Sequence, residues 1–394
     1  MENIVCNGCS LLCDDVSAEV AGKTINSLGL CRLGHAHLET VVSHKVKTID
    51  KDVEKAVEIL ANSGNPLLFG WAHATDEEIR EGIELSSTLD GHFISSADLG
   101  PYSVMSHNLN AQGLEIDLEY VRNNGEFIIY WGSDPSESLH RHPSRFAVLP
   151  RGKKIPEGIE SRTIGVVDVR QTETMKMANH RLIIPPGTDS ELLDTVISEL
   201  EGKSAIKDKV LGIAGNELIG FVNGFQKSDC TVIFYGSGLI NSGNHDANLN
   251  RLAKLIEILR KNGKEAYALP MFVPSNTMGV IKAETGAGSI NEIANGEYDV
   301  SLIVGDDVLA NLPGPLAKAL AKTKIVYVGP PGGLTDKMAE VSVHTTDSII
   351  AGVGTMTRVD MNEVQFKKWK ASNNASTTLD ALSRIHELIR KRKS

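Results

Sequence analysis

The chain has 394 residues, room for two or three domains that each bury a core. It is 41% hydrophobic, with a formal net charge of -10 and a pI of about 5.7, which suits a soluble globular protein and argues against the basic surface of a nucleic-acid binder. No apolar run is long enough to cross a membrane and no hydrophobic targeting segment opens the chain, so the expected location is cytoplasmic.

Four of the five cysteines, Cys6, Cys9, Cys13 and Cys31, fall in the first 35 residues with the spacing C-x2-C-x3-C-x17-C. Three close thiolates and a fourth returning later can hold one [4Fe-4S] cluster. Zinc is the rival, although its sites more often use two close pairs, and plain thiols are the third reading. A disulfide framework does not suit a long chain without a signal peptide. The stretch SAEVAGKTINSL reads as a hairpin turning at Gly22 and Lys23, which would return Cys31 to the other three. Arg32 then either bridges a cluster to an anionic cofactor or stands solvated.

Beyond residue 50 the pattern alternates. Residues 50–62 and 74–88 carry helical periodicity, each expected to start at an Asp cap and end near a Gly, with the apolar run 66–71 between them as a buried parallel strand. HFISSADLGPYS gives a short strand ending in Ser95, Ser96, Asp98, Gly100 and Pro101, where α/β proteins place ligands; Asp98 as a turn residue is the plainer alternative. FIIYW is a buried strand, and the polar turn GSDPSES after it suits phosphate. His140, Arg141, His142 and Arg145 follow, as an anion-binding cluster or a solvated face. IGVVDV ends in Asp168, a strand-end carboxylate of the kind that holds a ribose or guanine, and PPGTDSELL leads into a helix with an acidic first turn. No G-x-G-x-x-G fingerprint supports ordinary NAD binding. TVIFYGSGL is a strand and glycine turn before a long amphipathic helix, with Cys230 simply buried. Residues 268–296 read as loop with short helical pieces. SLIVGDD and KIVYVG are two parallel strands around the helix PLAKALAK, and an amphipathic helix with a basic end closes the chain.

Several separated stretches resemble the B-type subunit of formylmethanofuran dehydrogenase, within the molybdopterin or tungstopterin oxidoreductases of the dimethyl sulfoxide reductase type. They are CNGCSLLCDDV with Cys31; IIYWGSDPSESLHRHPSRF, with Asp134 where Asn is usual; VVDVRQTET with PPGTDSELL; and GTMTRVDMNEVQFKKW. Together they span nearly the whole chain. The resemblance implies an α/β dimethyl sulfoxide reductase-like fold: a small N-terminal [4Fe-4S] lobe and Rossmann-like domains, shortened and without a large C-terminal barrel. It suggests a cluster lobe at 1–50, an α/β domain around the active site at 51–125, and a guanine-dinucleotide-binding domain at 126–265. A second α/β domain at 266–350 and a C-terminal segment at 351–394 complete the division.

It also implies one [4Fe-4S] cluster and a bis-(molybdopterin guanine dinucleotide) with W or Mo, at which CO2 is reversibly reduced to formate. Partners would be an amidohydrolase-like subunit and ferredoxin-type electron carriers. By the same resemblance Arg32, Gly132, Asp134, Asp168, Arg170, Thr172, Gly187, Asp189, Gly236 and Asp306 are cofactor contacts, and His140 and Arg141 join Asp98 at the reacting centre. Two departures stand out. Asp98-Leu99-Gly100-Pro101 replaces the family's metal-ligating Cys or selenocysteine with His-Gly-Pro, so Asp98 is either the metal ligand or the mark of a dead site. The family's His- and Asn-rich stretch is missing or shortened around residues 269–293. A relative in the bacterial formyltransferase/hydrolase complex has no metal cofactor. The alternative is therefore a pterin-free structural or electron-relay subunit, while retention of all four cysteines argues against complete decay.

Overall fold

The computed structural model describes residues 1–394 except 22–23, 45, 47–48, 100–115, 284–289, 373–374 and 394, and for Asp98, Leu99, His245, Ile290 and Asn291 it describes the backbone alone. The chain divides into two compact units. Unit 1 comprises Met1–Leu99, Pro274–Arg358 and Glu363–Ser394; unit 2 comprises Gly100–Val273 and Val359–Asn362.

Unit 1 begins with a small antiparallel sheet of Glu2–Cys6, Cys13–Ala21 and Thr24–Leu28. The last two strands pair from Ser17↔Leu28 to Ala21↔Thr24, the expected hairpin, although its turn lies outside the described residues. The larger sheet of unit 1 is wholly parallel. Its order is Val341–His344, Lys324–Gly329, Val300–Val304, Pro66–Gly70, His92–Ser95. PLLFG and VSLIV are buried at every position, as strands covered on both faces must be. The segments read separately as 51–125 and 266–350 therefore contribute neighbouring strands to one sheet. Numbered in chain order the strands run 2-1-3-4-5, so the topology switches between Pro66–Gly70 and Val300–Val304, and a ligand crevice is expected beyond their carboxyl ends.

Unit 2 holds a second parallel sheet: Glu265–Pro270, Cys230–Tyr235, Phe127–Trp131, Thr163–Asp168, His180–Ile183. Chain order gives 3-2-1-4-5, the Rossmann arrangement, with its switch point between Phe127–Trp131 and Cys230–Tyr235. The apolar faces of the helices Asp189–Leu200, Gly215–Lys227 and His245–Lys261 bury a core that includes Phe127, Leu193, Phe221, Phe225 and Leu255. Residues 268–270, read as loop, complete the edge strand Glu265–Pro270. Pro270 lacks a backbone donor and stands at the strand's end, where the ladder tolerates it.

The expected Asp caps are corrected. Ile49 is the N-cap of Asp50–Ala61 and makes no side-chain cap bond, so Asp50 and Asp52 act on the helix dipole from the first turn instead. Thr75 caps Asp76–Leu89 through a reciprocal box: its hydroxyl accepts from Glu78 N at 3.3 Å, and its own N donates to Glu78 Oε2 at 2.7 Å. The C-terminal helix Thr378–Lys393 packs on both of these helices. There His386 bonds Glu81 through Nδ1 and Thr88 through Nε2, both at 2.8 Å. Ligand atoms of Glu81, Glu84 and His386 lie within 4.8 Å of one another, but both imidazole nitrogens are engaged and the group works as a staple between helices.

Candidate functional site

The cysteines are placed by the first small sheet and the helix after it. A bulge between Ile4 and Cys6 sets Cys6 opposite Cys13, and Cys9 lies buried in the loop between their strands. Cys31 caps the helix Arg32–Ser43, its Sγ accepting from Gly34 N at 3.5 Å. A side chain at position 34 would begin 2.8 Å from Cys6 Sγ and 3.8 Å from Cys31 Sγ, so a glycine keeps the space beside these two sulfurs clear. Burial first, then the charges of Cys13, Cys31 and Asp347, pushes the Cys6 thiol up to about 12; Cys9 is raised by burial in the same way. Such thiols ionise at neutral pH only if a cation compensates them. Zinc, with Zn–S near 2.3 Å, would hold its sulfurs about 4 Å apart. Among the described residues no three of these sulfurs lie within 4.8 Å of one another. A cubane takes one thiolate per iron, and four cysteines are the donor set it uses. Arg32 is exposed.

A cavity of about 360 Å³ opens beside this lobe, at the switch point of the unit 1 sheet. Asn7, His37, His44 and Asp347 line it together with Asp306 and Asp307 from beyond Val300–Val304. Asp306 is buried and takes a hydrogen bond from Ser96 Oγ, which also lies 3.0 Å from Gly70 O. It thereby ties the third strand's end to the single 3-10 turn Ser96–Leu99 that carries Asp98. The side chain of Asp98, with Gly100 and Pro101, lies outside the described residues. Asp307 accepts from Leu334 N, Thr335 N and Thr335 Oγ1 and so holds the loop after Lys324–Gly329.

Glu78 also lines the cavity. Burial pushes its carboxyl up to about 7, against the bonds from Thr75 that lower it. The folded state therefore binds this proton more tightly than the unfolded chain, whose value is near 4.5. The resulting stabilisation is complete below about 4.5 and is lost as pH rises to about 7. Glu78→Gln, which keeps an acceptor for Thr75 N, is expected to gain stability relative to wild type across that window and to hold the gain above it. Unfolding midpoints of both proteins from pH 4 to 9 test this; a difference independent of pH refutes it.

In unit 2, Asp168 ends its strand half-buried, its carboxyl raised by burial and its Oδ1 accepting from Arg170 N at 3.1 Å. Asp134 is already engaged: it accepts from Thr174 Oγ1 at 2.5 Å and from Thr174 N and Glu173 N, both at 3.2 Å. Asp189 is buried, accepting from Trp131 Nε1 at 2.7 Å and from Ser242 Oγ. Arg170 is exposed and pairs with Glu137 at 3.2 Å; Thr172 is buried, its hydroxyl accepting from Met175 N; Gly187 sits exposed at φ +82. Gly132 and Gly236 stand at the switch point. Gly238 N donates to Gly132 O at 2.9 Å there, and a Cβ on Gly132 would meet Leu239 N at 2.2 Å, so the two turns require glycine.

His140 donates from Nδ1 to Ser136 O at 2.7 Å, and Arg141 is half-buried nearby. The basic cluster read from the sequence is weaker than expected. His142 is wholly buried against Phe234, meets the Tyr130 hydroxyl at 3.1 Å, and is pushed by burial down to about 3, so it is a neutral core residue. The cysteine lobe thus offers four thiols, the donor set that either a cluster or zinc uses. For a guanine dinucleotide in unit 2, Asp168 fits, whereas Asp134 and Asp189 are committed to the chain's own loops. Sequence reasoning missed Asn7, His37, Glu78 and Asp347. Asn7 carried a signal, since it lies between Cys6 and Cys9; Asp347 carried none.

Two parallel doubly wound sheets, one Rossmann-ordered, define an α/β fold. One chain of the formyltransferase/hydrolase complex from Methylorubrum extorquens, solved with methylofuran, superposes with a TM-score of 0.65 at 16% identity, over 88% of this chain and 98% of that one. Acetylene hydratase from Pelobacter acetylenicus also gives 0.65, at 13% identity over 99% of this chain and 70% of that one. At these identities the likeness is one of fold. No protein-family model matches the chain.

Sequence comparison is more specific. The B-type subunit of tungsten-containing formylmethanofuran dehydrogenase 2 from Methanocaldococcus jannaschii is 25% identical over 409 residues, and that from Methanococcus maripaludis 23% over 410, each alignment covering 93% of both chains. The chain is a divergent relative of these formylmethanofuran dehydrogenase B-type proteins. Among the described residues no helix is long and apolar enough to cross a membrane.

Proposed function

We propose that this chain is the redox subunit of a formylmethanofuran-type complex, holding one [4Fe-4S] cluster through Cys6, Cys9, Cys13 and Cys31. The observation that carries this reading is the cysteine lobe beside the cavity: Asn7, between two of the cysteines, shares that cavity's wall with Asp306 at the strand ends. A W- or Mo-bound bis-pyranopterin guanine dinucleotide, when bound, supplies the two-electron chemistry that interconverts CO2 and formate. The residues assigned to it are Asp98 as metal ligand and Asp168, Arg170, Thr172 and Gly187 for the guanosine. The turn Ser96–Leu99 anchored on Asp306 supports the first assignment, and the half-buried strand-end carboxylate supports the second. Partner subunits, an amidohydrolase-like one among them, would complete the assembly in the cytoplasm, with ferredoxin-type carriers delivering electrons.

One observation favours a second reading. Asp134 and Asp189, two of the expected cofactor contacts, are bonded within the protein, which suits a pterin-free relay or structural subunit. Metal and nucleotide analysis of the complex isolated from its source separates the two. Tungsten or molybdenum, with guanosine monophosphate released by acid hydrolysis, is expected on the catalytic reading. Iron without either would leave the relay.

A further inference from the structure

Asn7 is 5% exposed and makes two side-chain bonds to residues far away in the chain. Its amide nitrogen donates to Asp347 Oδ1 at 2.8 Å. Its carbonyl oxygen meets His37 Nε2, also at 2.8 Å. A carboxylate only accepts, so the amide must face Asp347 and the carbonyl must face the imidazole, whose Nε2 then carries hydrogen. His37 Nε2 also lies 3.8 Å from Asp347 Oδ2. His37 belongs to the helix that Cys31 caps, and Asn7 to the loop between Cys6 and Cys9. The triad therefore joins both cysteine-bearing segments to each other and to the wall of the cavity.

Asp347 is itself held. Its Oδ1 accepts from Ile349 N at 2.9 Å, capping the turn Ser348–Ala351, and its side chain is only 13% exposed. Its charge is felt at Cys6. A poorly solvated carboxylate beside a cluster opposes the added electron, because reduction makes the cluster more negative, and net charge near a cluster is one of the levers that set its potential.

We infer that Asn7, His37 and Asp347 form a positioning bridge that fixes the cysteine loop and lowers the reduction potential of the cluster it holds. The inference rests on the cluster reading and adds to it a role for three residues outside the ligand set. Asp347→Asn is the informative variant, since Asn keeps an oxygen for Asn7 and Ile349 N but removes the charge.

The experiment is a redox titration of the full-length reconstituted protein, followed by electron paramagnetic resonance, with iron counted in parallel. Asp347→Asn is expected to keep its iron and shift the midpoint to a less negative value, and Asp347→Glu to restore it. His37→Gln, which can still donate to Asn7, is expected to keep the wild-type spectrum, and His37→Phe to change it. A midpoint unmoved in Asp347→Asn at full iron content overturns the bridge and leaves the cluster standing; wild-type protein without iron overturns both. If Asp347→Asn loses its iron, the His37 pair decides, and identical spectra in Gln, Phe and wild type overturn the proposal.

Discussion

Protein purified without air is expected to contain about four iron and four sulfide per chain, and Cys6→Ser to lose most of both. Cys6 is 6% exposed, Cys9 8% and Cys13 5%, and burial raises both Cys6 and Cys9 far above neutrality. Without metal, burial keeps the Cys6 and Cys9 thiols protonated, beside a small three-stranded sheet whose third strand is largely exposed. With iron the thiolates are neutralised, and cluster binding and lobe folding become one equilibrium. A serine at position 6 offers a harder oxygen on a shorter bond, beside the space that Gly34 leaves open. Loss of iron should therefore come with faster amide exchange in residues 2–21 and little change in the two parallel sheets. Stoichiometric zinc with no iron in the wild type would defeat the assignment.

A second large effect is expected at Trp71. It follows the first strand of the unit 1 sheet at φ +75, is wholly buried, and stacks on Phe93 with ring centroids 4.8 Å apart. The ring lies directly on Gly82 in the middle of Asp76–Leu89, where a Cβ would come within 2.2 Å of it. Trp71→Ala should cost about 3–5 kcal/mol, by the lost burial and the cavity left behind. Gly82→Ala in the wild type should cost about 1–3 kcal/mol, because the indole is held by its neighbours and cannot retreat. In the Trp71→Ala background the sign should reverse: the obstruction is gone, and alanine is worth up to about 1 kcal/mol over glycine inside a helix. Hydrogen exchange in Asp76–Leu89, read for the four proteins of the cycle, measures the coupling. Equal effects of Gly82→Ala in both backgrounds would show that the ring does not set this position. The consequence reaches the cavity, since Trp71 N donates to Val304 O at 3.2 Å, next to Gly305 and Asp306.

Much of this was written locally. The runs PLLFG, FIIYW and VSLIV are buried at every position, and continuous apolar runs bounded by polar turns can be read as covered parallel strands without any partner being known. The cysteine spacing and the strand-end position of Asp168 were legible because each is carried by residues near one another in the chain. Residues 268–270 were not, because a strand ending in Pro270 and opening into a loop looks like loop.

Tertiary structure alone decided which strands are neighbours and which distant side chains engage each carboxylate. Pro66 pairs with Val300 although unit 2 lies between them in the chain, and no period of 2 or 3.6 encodes that choice. Asp134, Asp168 and Asp189 look alike as acids near strand ends, yet loop closure brings Thr174 to the first and the Trp131 indole to the third, while Asp168 stays half-buried with backbone N–H groups of its own turn as partners. Asn7 and Asp347 meet across 340 positions. Hydrophobic periodicity specifies an element and its buried face. The partner of a polar side chain is set by where the chain returns, which depends on the packing of the whole unit.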